Sequence, residues 1–305
     1  MSLKSWWLLI VLSVLWGGTF FFVEVALVGL TPFTIVFLRV SIAALALLSY
    51  LVATGEKIPR DLKIWGLFLV MGILNNTIPF SLITWGQVHI TGSVASILNA
   101  TTPLFTVLLA HFLTSDEKLT TNKTIGVFIG FFGVILMMQP TLVDGITFES
   151  YGQFAIIAAA LSYGCAGIWG KRLGSTSSAV NAFGMLACAS VTMLPIIFIV
   201  EEPLALTPHL PSLAAVVGLA LLGTALAYIL YFRILALAGA VNLLLVTFLI
   251  PVSALLLGVG VLSEAVHPMA YAGMATIFAG LAVIDGRLFK LIRRSGNKDR
   301  LRDPN

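Results

Sequence analysis

The sequence predicts an all-α polytopic membrane protein of ten transmembrane helices, arranged as two inverted five-helix repeats. Composition is the first observation behind this: hydrophobic residues make up 59% of the 305-residue chain and charged residues 10%, with a mean hydropathy of +1.05. Soluble domains run at roughly 45–50% apolar and 25% charged. The second is an internal repeat. Trp16-Gly17 returns as Tyr163-Gly164, Trp85 through Ser93 as Phe232 through Ala240, and Gly126 and Gly133 as Gly273 and Gly280, all at a shift of 147 residues. Third, the basic residues fall in alternate loops, the pattern that marks cytoplasmic loops.

A helix needs about 20 apolar residues to cross the hydrocarbon core. Ten stretches qualify: 5–29, 31–53, 63–84, 91–113, 122–139, 150–171, 179–200, 211–233, 240–262 and 268–288. Lys4 precedes an apolar run, Trp6 to Val23, longer than a signal-peptide core and without a small-x-small cleavage site, so it is expected as the first span. Alternating the loops puts Lys4, Lys57, Arg60, Lys63, Lys118, Lys123, Lys171, Arg172, Arg233 and the tail from Arg287 to Arg302 on one side, 16 of the 17 basic residues. Opposite loops hold Asp144, Glu149, Glu201, Glu202 and Glu264 and no Lys or Arg. Both termini are therefore expected in the cytoplasm. Five spans per half is an odd number, so the second half enters the membrane inverted. The expected divisions are a first repeat over 1–139, an extracytoplasmic linker over 140–149, a second repeat over 150–288 and a basic cytoplasmic tail over 289–305.

Arg39 is the one basic residue away from the basic side, roughly 12 Å into the second span at 1.5 Å per residue. A charge there costs at least about 2.5–3.5 kcal/mol on insertion scales, so it should face the bundle interior with a partner. Glu24, across the first hairpin, is the candidate for an ion pair; a part for either residue in substrate binding or proton coupling is the alternative. Pro103 and Pro251 lie near the middle of the fourth and ninth spans, where each removes a backbone donor and frees the carbonyl of Asn99 or Thr247. Broken helices at matching depth in two repeats mark midplane binding sites in transporters; a packing kink is the plainer reading.

Polar and aromatic residues gather at the same depth: Trp16, Thr19, Asn75, Asn76, Asn99, Thr101, Thr102 and Tyr163, with Tyr228, Tyr231, Asn242 and Thr247 toward the cytoplasmic half. Trp6, Trp7 and Trp65 read as interfacial anchors. The Gly126, Gly130, Gly133 face of the fifth span, echoed by Gly273 and Gly280, suits close helix packing or a dimer contact. Cys165 and Cys188 sit in apolar stretches and behave as small buried hydrophobes rather than a disulfide. Neither a phosphate-binding G-x-x-x-x-G-K-[ST] loop nor H-E-x-x-H occurs, and His89, His111, His209 and His267 are scattered, so no catalytic residue, metal site or cofactor is expected.

Leu15-Trp16-Gly17-Gly18-Thr19, Thr102-Pro103-Leu104-Phe105 leading to Ser115-Asp116-Glu117-Lys118-Leu119-Thr120, the glycines of span five, and Pro251 with Ser263-Glu264 resemble the EamA family of the drug/metabolite transporter superfamily. The resemblance covers about 6–139 and 150–286. It implies a central cavity walled by spans one, three, four, six, eight and nine, and carries substrate binding onto Trp16, Asn75, Asn76, Phe80, Asn99, Tyr163, Tyr228 and Asn242, with Pro103 and Pro251 as helix breaks or gates. Two departures stand out: many relatives carry a basic residue where this chain has Glu24, and the second half has no Arg to match Arg39.

The function expected is an inner-membrane secondary exporter of amino acids or similar neutral or zwitterionic metabolites, working by alternating access. Its partners are a small-molecule substrate and the lipid bilayer, without nucleic acid, as a monomer or homodimer. One buried cation argues against phosphate-bearing substrates such as nucleotide sugars, which recruit several Lys or Arg. The alternative from another class, an integral-membrane enzyme acting on lipid, would need a converging acid-base or metal cluster at the membrane surface.

Overall fold

A computed structural model of the chain describes residues 3–115, 118–143, 147–174, 176–239, 243 and 245–285. The described chain is helical throughout, without strand. In the first half, α1 (Leu3–Leu27) and α2 (Pro32–Thr54) are followed by α3 (Leu62–Gly72) and α4 (Ile78–Gly86), joined through a π-helical turn. Next come α5 (Gly92–Asn99), α6 (Thr102–Leu113) and α7 (Thr121–Val143). The second half runs α8 (Phe148–Trp169), α9 (Ser178–Val200), α10 (Leu210–Ala220) and α11 (Ala227–Ala238) joined through a second π-helical turn, then α12 (Val246–Val261) and α13 (Pro268–Asp285). Among the described residues nine helices are long and apolar enough to cross a bilayer, and α12, apolar but shorter, lies on the ninth expected span.

Elementary signals set the helix starts. Proline occupies an N-terminal position of α2, α6 and α10, where its missing donor costs nothing. Thr91, Thr147 and Ser177 cap α5, α8 and α9 through their hydroxyls. Helix α7 continues to Val143, through Pro140, into the stretch expected as linker; Asp144 and the basic tail lie outside the described residues.

Contacts between the halves come in exchanged pairs, as a pseudo-twofold axis requires. Helix α1 packs on α12 as α8 packs on α5 and α6, and α8 packs on α4 as α1 packs on α10 and α11. Two contacts are their own mates, α2 with α9 and α7 with α13. The repeated glycines explain the closeness of several of them. A Cβ at Gly17 would lie 2.6 Å from Ser253 Cβ, and one at its mate Gly164 would lie 3.2 Å from the Thr106 amide nitrogen. On the α7–α13 seam a Cβ at Gly126 would lie 2.6 Å from the Gly280 carbonyl oxygen, and one at Gly273 would lie 2.7 Å from that of Gly133. The glycine face of span five is thus packed within the chain.

The helices leave two loop-bearing ends. At the acidic end, the carboxylate of Glu201, just past α9, accepts hydrogen bonds from the Thr31 hydroxyl at 2.5 Å, the Phe33 amide at 2.9 Å, and the Thr34 amide and hydroxyl, each at 2.8 Å. It closes the N-terminus of α2, where the helix dipole favours negative charge. At the opposite, basic end, Glu56, just past α2, accepts from Ser177, the cap of α9. Each helix of the α2–α9 pair is therefore capped from beyond the other's end.

Candidate functional site

The two π-helical turns, Ile73–Thr77 and Leu221–Leu226, sit at equivalent places in the repeats. A π-turn inserts a residue into the helical ladder, displaces local side chains and leaves backbone groups in need of partners; it recurs at functional sites. Ser162 of α8 donates to the carbonyl of Leu74 at 2.7 Å, and Thr224 donates to that of Leu219 at 3.0 Å. Asn75 and Asn76 occupy the first turn, Thr224 the second, and Tyr228 follows the second by half a turn of helix.

These residues bond across the halves. The Asn75 amide nitrogen lies 2.9 Å from the Tyr228 hydroxyl, and that of Asn76 lies 3.3 Å from the same oxygen. Arg39 Nε donates to the Thr224 hydroxyl at 3.0 Å, and the guanidinium carbon lies 3.5 Å from the centre of the Phe80 ring. Tyr163 and Tyr228 are within electrostatic range of Arg39. Asn76 is 0% and Arg39 7% exposed, and Phe80 and Thr224 are buried, while Asn75, Tyr163 and Tyr228 are half-buried in front of them. The Trp16 ring packs against that of Tyr231, with centroids 5.6 Å apart, one helical turn beyond Tyr228. Thus Asn75, Asn76, Phe80, Tyr163 and Tyr228 come together, with Trp16 adjoining through Tyr231.

Asn99 stands at the break between α5 and α6. Pro103 cannot donate to the Asn99 carbonyl, and the Thr102 hydroxyl does so instead at 2.8 Å. One residue earlier, the Thr101 hydroxyl donates to the Leu98 carbonyl at 2.6 Å. The Asn99 side-chain oxygen is sealed without a hydrogen-bond partner, and among the described residues no hydrogen bond ties this side chain to the Asn75 cluster. Asn242 lies outside the described residues.

Two expectations are corrected. Pro251 does not break its helix: it sits inside α12. That helix begins at Val246, so the proline removes only one of its first hydrogen bonds, and the two matched irregularities are the π-turns rather than the prolines. Glu24 and Arg39 do not pair: Arg39 donates to Thr224 of the second half and stacks on Phe80. Glu24 instead accepts from the Gln87 amide at 2.9 Å, and that amide also donates to the Phe20 carbonyl at 3.0 Å. Nearby, Glu264 accepts from the Ser93 backbone at 3.0 Å. These bonds tie α1 and the α12–α13 loop to the α4–α5 corner at the acidic end.

Thr224, Gln87 and Glu264 were not singled out for these parts by sequence. Thr224 had a signal, as the repeat mate of Thr77 beside Asn76. Among the described residues no group of three or more His, Cys, Asp or Glu is placed to hold a metal.

A two-repeat helical bundle with polar side chains joined across its halves at membrane depth defines a membrane transporter of the drug/metabolite type. The chain belongs to the EamA-like transporter family, whose model matches residues 4–139 and 150–285. It is 24% identical over 279 residues to an uncharacterized inner membrane transporter, YedA, of Escherichia coli strain K12, covering 90% of this chain and 89% of that protein. A probable terminal-alkyne amino-acid exporter of Streptantibioticus cattleyicolor is 26% identical over 288 residues, covering 93% of this chain and 94% of the exporter. A crystal structure 19% identical in sequence superposes with a TM-score of 0.65 over 92% of this chain and 97% of the other, which establishes likeness of fold.

Proposed function

We propose that this protein is an inner-membrane secondary exporter of amino acids or similar small neutral or zwitterionic metabolites. In this reading both termini are cytoplasmic, the basic end faces the cytoplasm, and the repeats 1–139 and 150–288 rock against each other about the central polar residues. The observation that carries it is the bonding of Asn75 and Asn76, in the π-turn of one half, to Tyr228, just past the equivalent π-turn of the other. Polar groups at that depth are expensive unless they serve a pathway or a packing need. Hydrogen bonds between elements that must separate are suited to being exchanged for bonds to substrate. The exporter named in S. cattleyicolor supports the choice of amino acids, as does the presence of a single buried cation at this site among the described residues.

The acidic-end bonds of Glu24 with Gln87 and of Glu264 with Ser93 fit an outer gate held closed. No described cluster suits lipid chemistry. The test is counterflow in proteoliposomes with labelled amino acids. Accumulation driven by an unlabelled internal pool of at least one of them is the expected result; no uptake of any, by protein shown to be folded, would refute the substrate class.

A further inference from the structure

We infer that Arg39 is the carboxylate anchor of the central site, so that the substrates this protein recognises carry a carboxylate. The inference rests on the reading of the centre as a substrate site and sharpens it. A guanidinium has five N–H donors and no acceptor, arranged as a rigid planar fork. In Arg39, one donor is used: Nε–H bonds to Thr224 of the second π-turn. One face of the plane is used as well, stacked on the Phe80 ring. These two contacts fix the group's position and tilt and leave its outer edge, the pair of terminal nitrogens, without a hydrogen-bond partner or a carboxylate among the described residues. Those nitrogens are not among the sealed, unpartnered atoms of the core, so they border accessible space, although the residue as a whole is 7% exposed.

A cation locked in orientation, buried in a membrane bundle and lacking an anion is costly to maintain. The missing partner is defined by the edge itself, since two parallel N–H groups match the two oxygens of a carboxylate. Glu24 was the internal candidate for that part, and its carboxylate is held by Gln87 at the acidic end instead. One carboxylate would neutralise Arg39 and leave the loaded centre without a net charge from this pair. A doubly charged phosphate would not, and no second described cation stands at this site to receive it. The attachment of Arg39 to Thr224 also makes the anchor shared property: the fork belongs to α2 of the first half, but its aim is set by the second.

The test uses the full chain, purified and folded, and reads equilibrium binding of labelled L-leucine, L-threonine and L-phenylalanine. Each is competed by its unlabelled parent and by the decarboxylated amine of the same side chain. The expected result is that at least one amino acid binds and its amine competes on the order of 10- to 100-fold more weakly, the worth of a charged hydrogen-bonded contact. Arg39→Gln should erase the difference, and Arg39→Lys should keep part of it as a charge without the fork. Competition by the amine equal to that of the parent, or no binding of any of the three to folded wild-type protein, would overturn the anchor. Counterflow separates the two claims: amino acids carried without preference for the carboxylate sink the anchor and leave the exporter standing. Carboxylate-dependent binding without transport does the reverse.

Discussion

The α7–α13 seam and the central polar cluster are both places where the two repeats meet, and they are built oppositely. At the seam the mates touch backbone to backbone, glycine against glycine, with no room for a Cβ at Gly126, Gly133, Gly273 or Gly280. At the centre the halves meet through unlike side chains: asparagines on one side, a tyrosine on the other, and an arginine that bonds to a threonine of the opposite half. Lipid offers helices no hydrophobic drive to associate, so close van der Waals packing at small residues holds the seam. Hydrogen bonds at the centre are individually weak and exchangeable. The difference separates a contact packed backbone to backbone from one made of side-chain hydrogen bonds, which on the proposed mechanism is the one that opens.

That contrast is broken most easily at the seam. Gly280→Leu forces a side chain toward the Gly126 carbonyl and the Gly130 amide nitrogen, both 2.6 Å from the Cβ position. The largest effect is expected here: loss of monodisperse folded protein on size exclusion. Gly260→Leu, where nothing lies within 4 Å, should leave the yield unchanged. Equal yields from the two would refute the account of the seam. Next in size is Glu201→Ala, which leaves four donors at the start of α2 without their carboxylate. A loss of about 1–2 kcal/mol is expected, read as a lower melting temperature with substrate preference unchanged.

Tyr228→Phe probes the centre. Removing the hydroxyl shared by Asn75 and Asn76 should cost counterflow roughly tenfold, the worth of about 1–1.5 kcal/mol. The melting temperature should change little. A large fall in melting temperature with normal counterflow would reverse the assignment of roles between seam and centre. The smallest effect is expected from Glu24→Gln, which keeps an acceptor for Gln87 while removing the charge. Folding should be retained, and the rate of counterflow should shift more than the affinity if this bond belongs to a gate. An unchanged rate with altered affinity would move Glu24 from the gate to the binding site.

Much of the architecture was legible in the sequence because membrane physics leaves few options. Long apolar runs become helices, and glycines recurring at a fixed shift became the close contacts of α1 with α12, α8 with α6, and α7 with α13. The polar centre was legible in part. Asn75, Asn76 and Tyr163 were recoverable as polar or aromatic residues at one depth and Tyr228 as one nearer the cytoplasmic half, while Phe80 came only with the family resemblance. Their partners were not, since depth along a helix does not tell which face a side chain takes. The π-turns were hidden for a related reason: nothing in Ile73–Thr77 or Leu221–Leu226 announces an inserted residue, whereas a proline is conspicuous. That visibility misled at Pro251, which sits inside an unbroken α12. Glu24 and Arg39 were adjacent on paper across one hairpin, but each side chain is held by another partner, Glu24 by Gln87 and Arg39 by Thr224.

The central claim is that substrate enters between Asn75 and Tyr228 and is sealed there by alternating access. Its most direct test is labelling of Asn75→Cys with a membrane-impermeant maleimide, in a chain whose Cys165 and Cys188 are replaced by alanine. Reaction should occur in folded, membrane-embedded protein and be slowed by a transported amino acid. A cysteine that stays unlabelled from both sides of the membrane, with and without substrate, would show that the polar centre is packing and not a pathway.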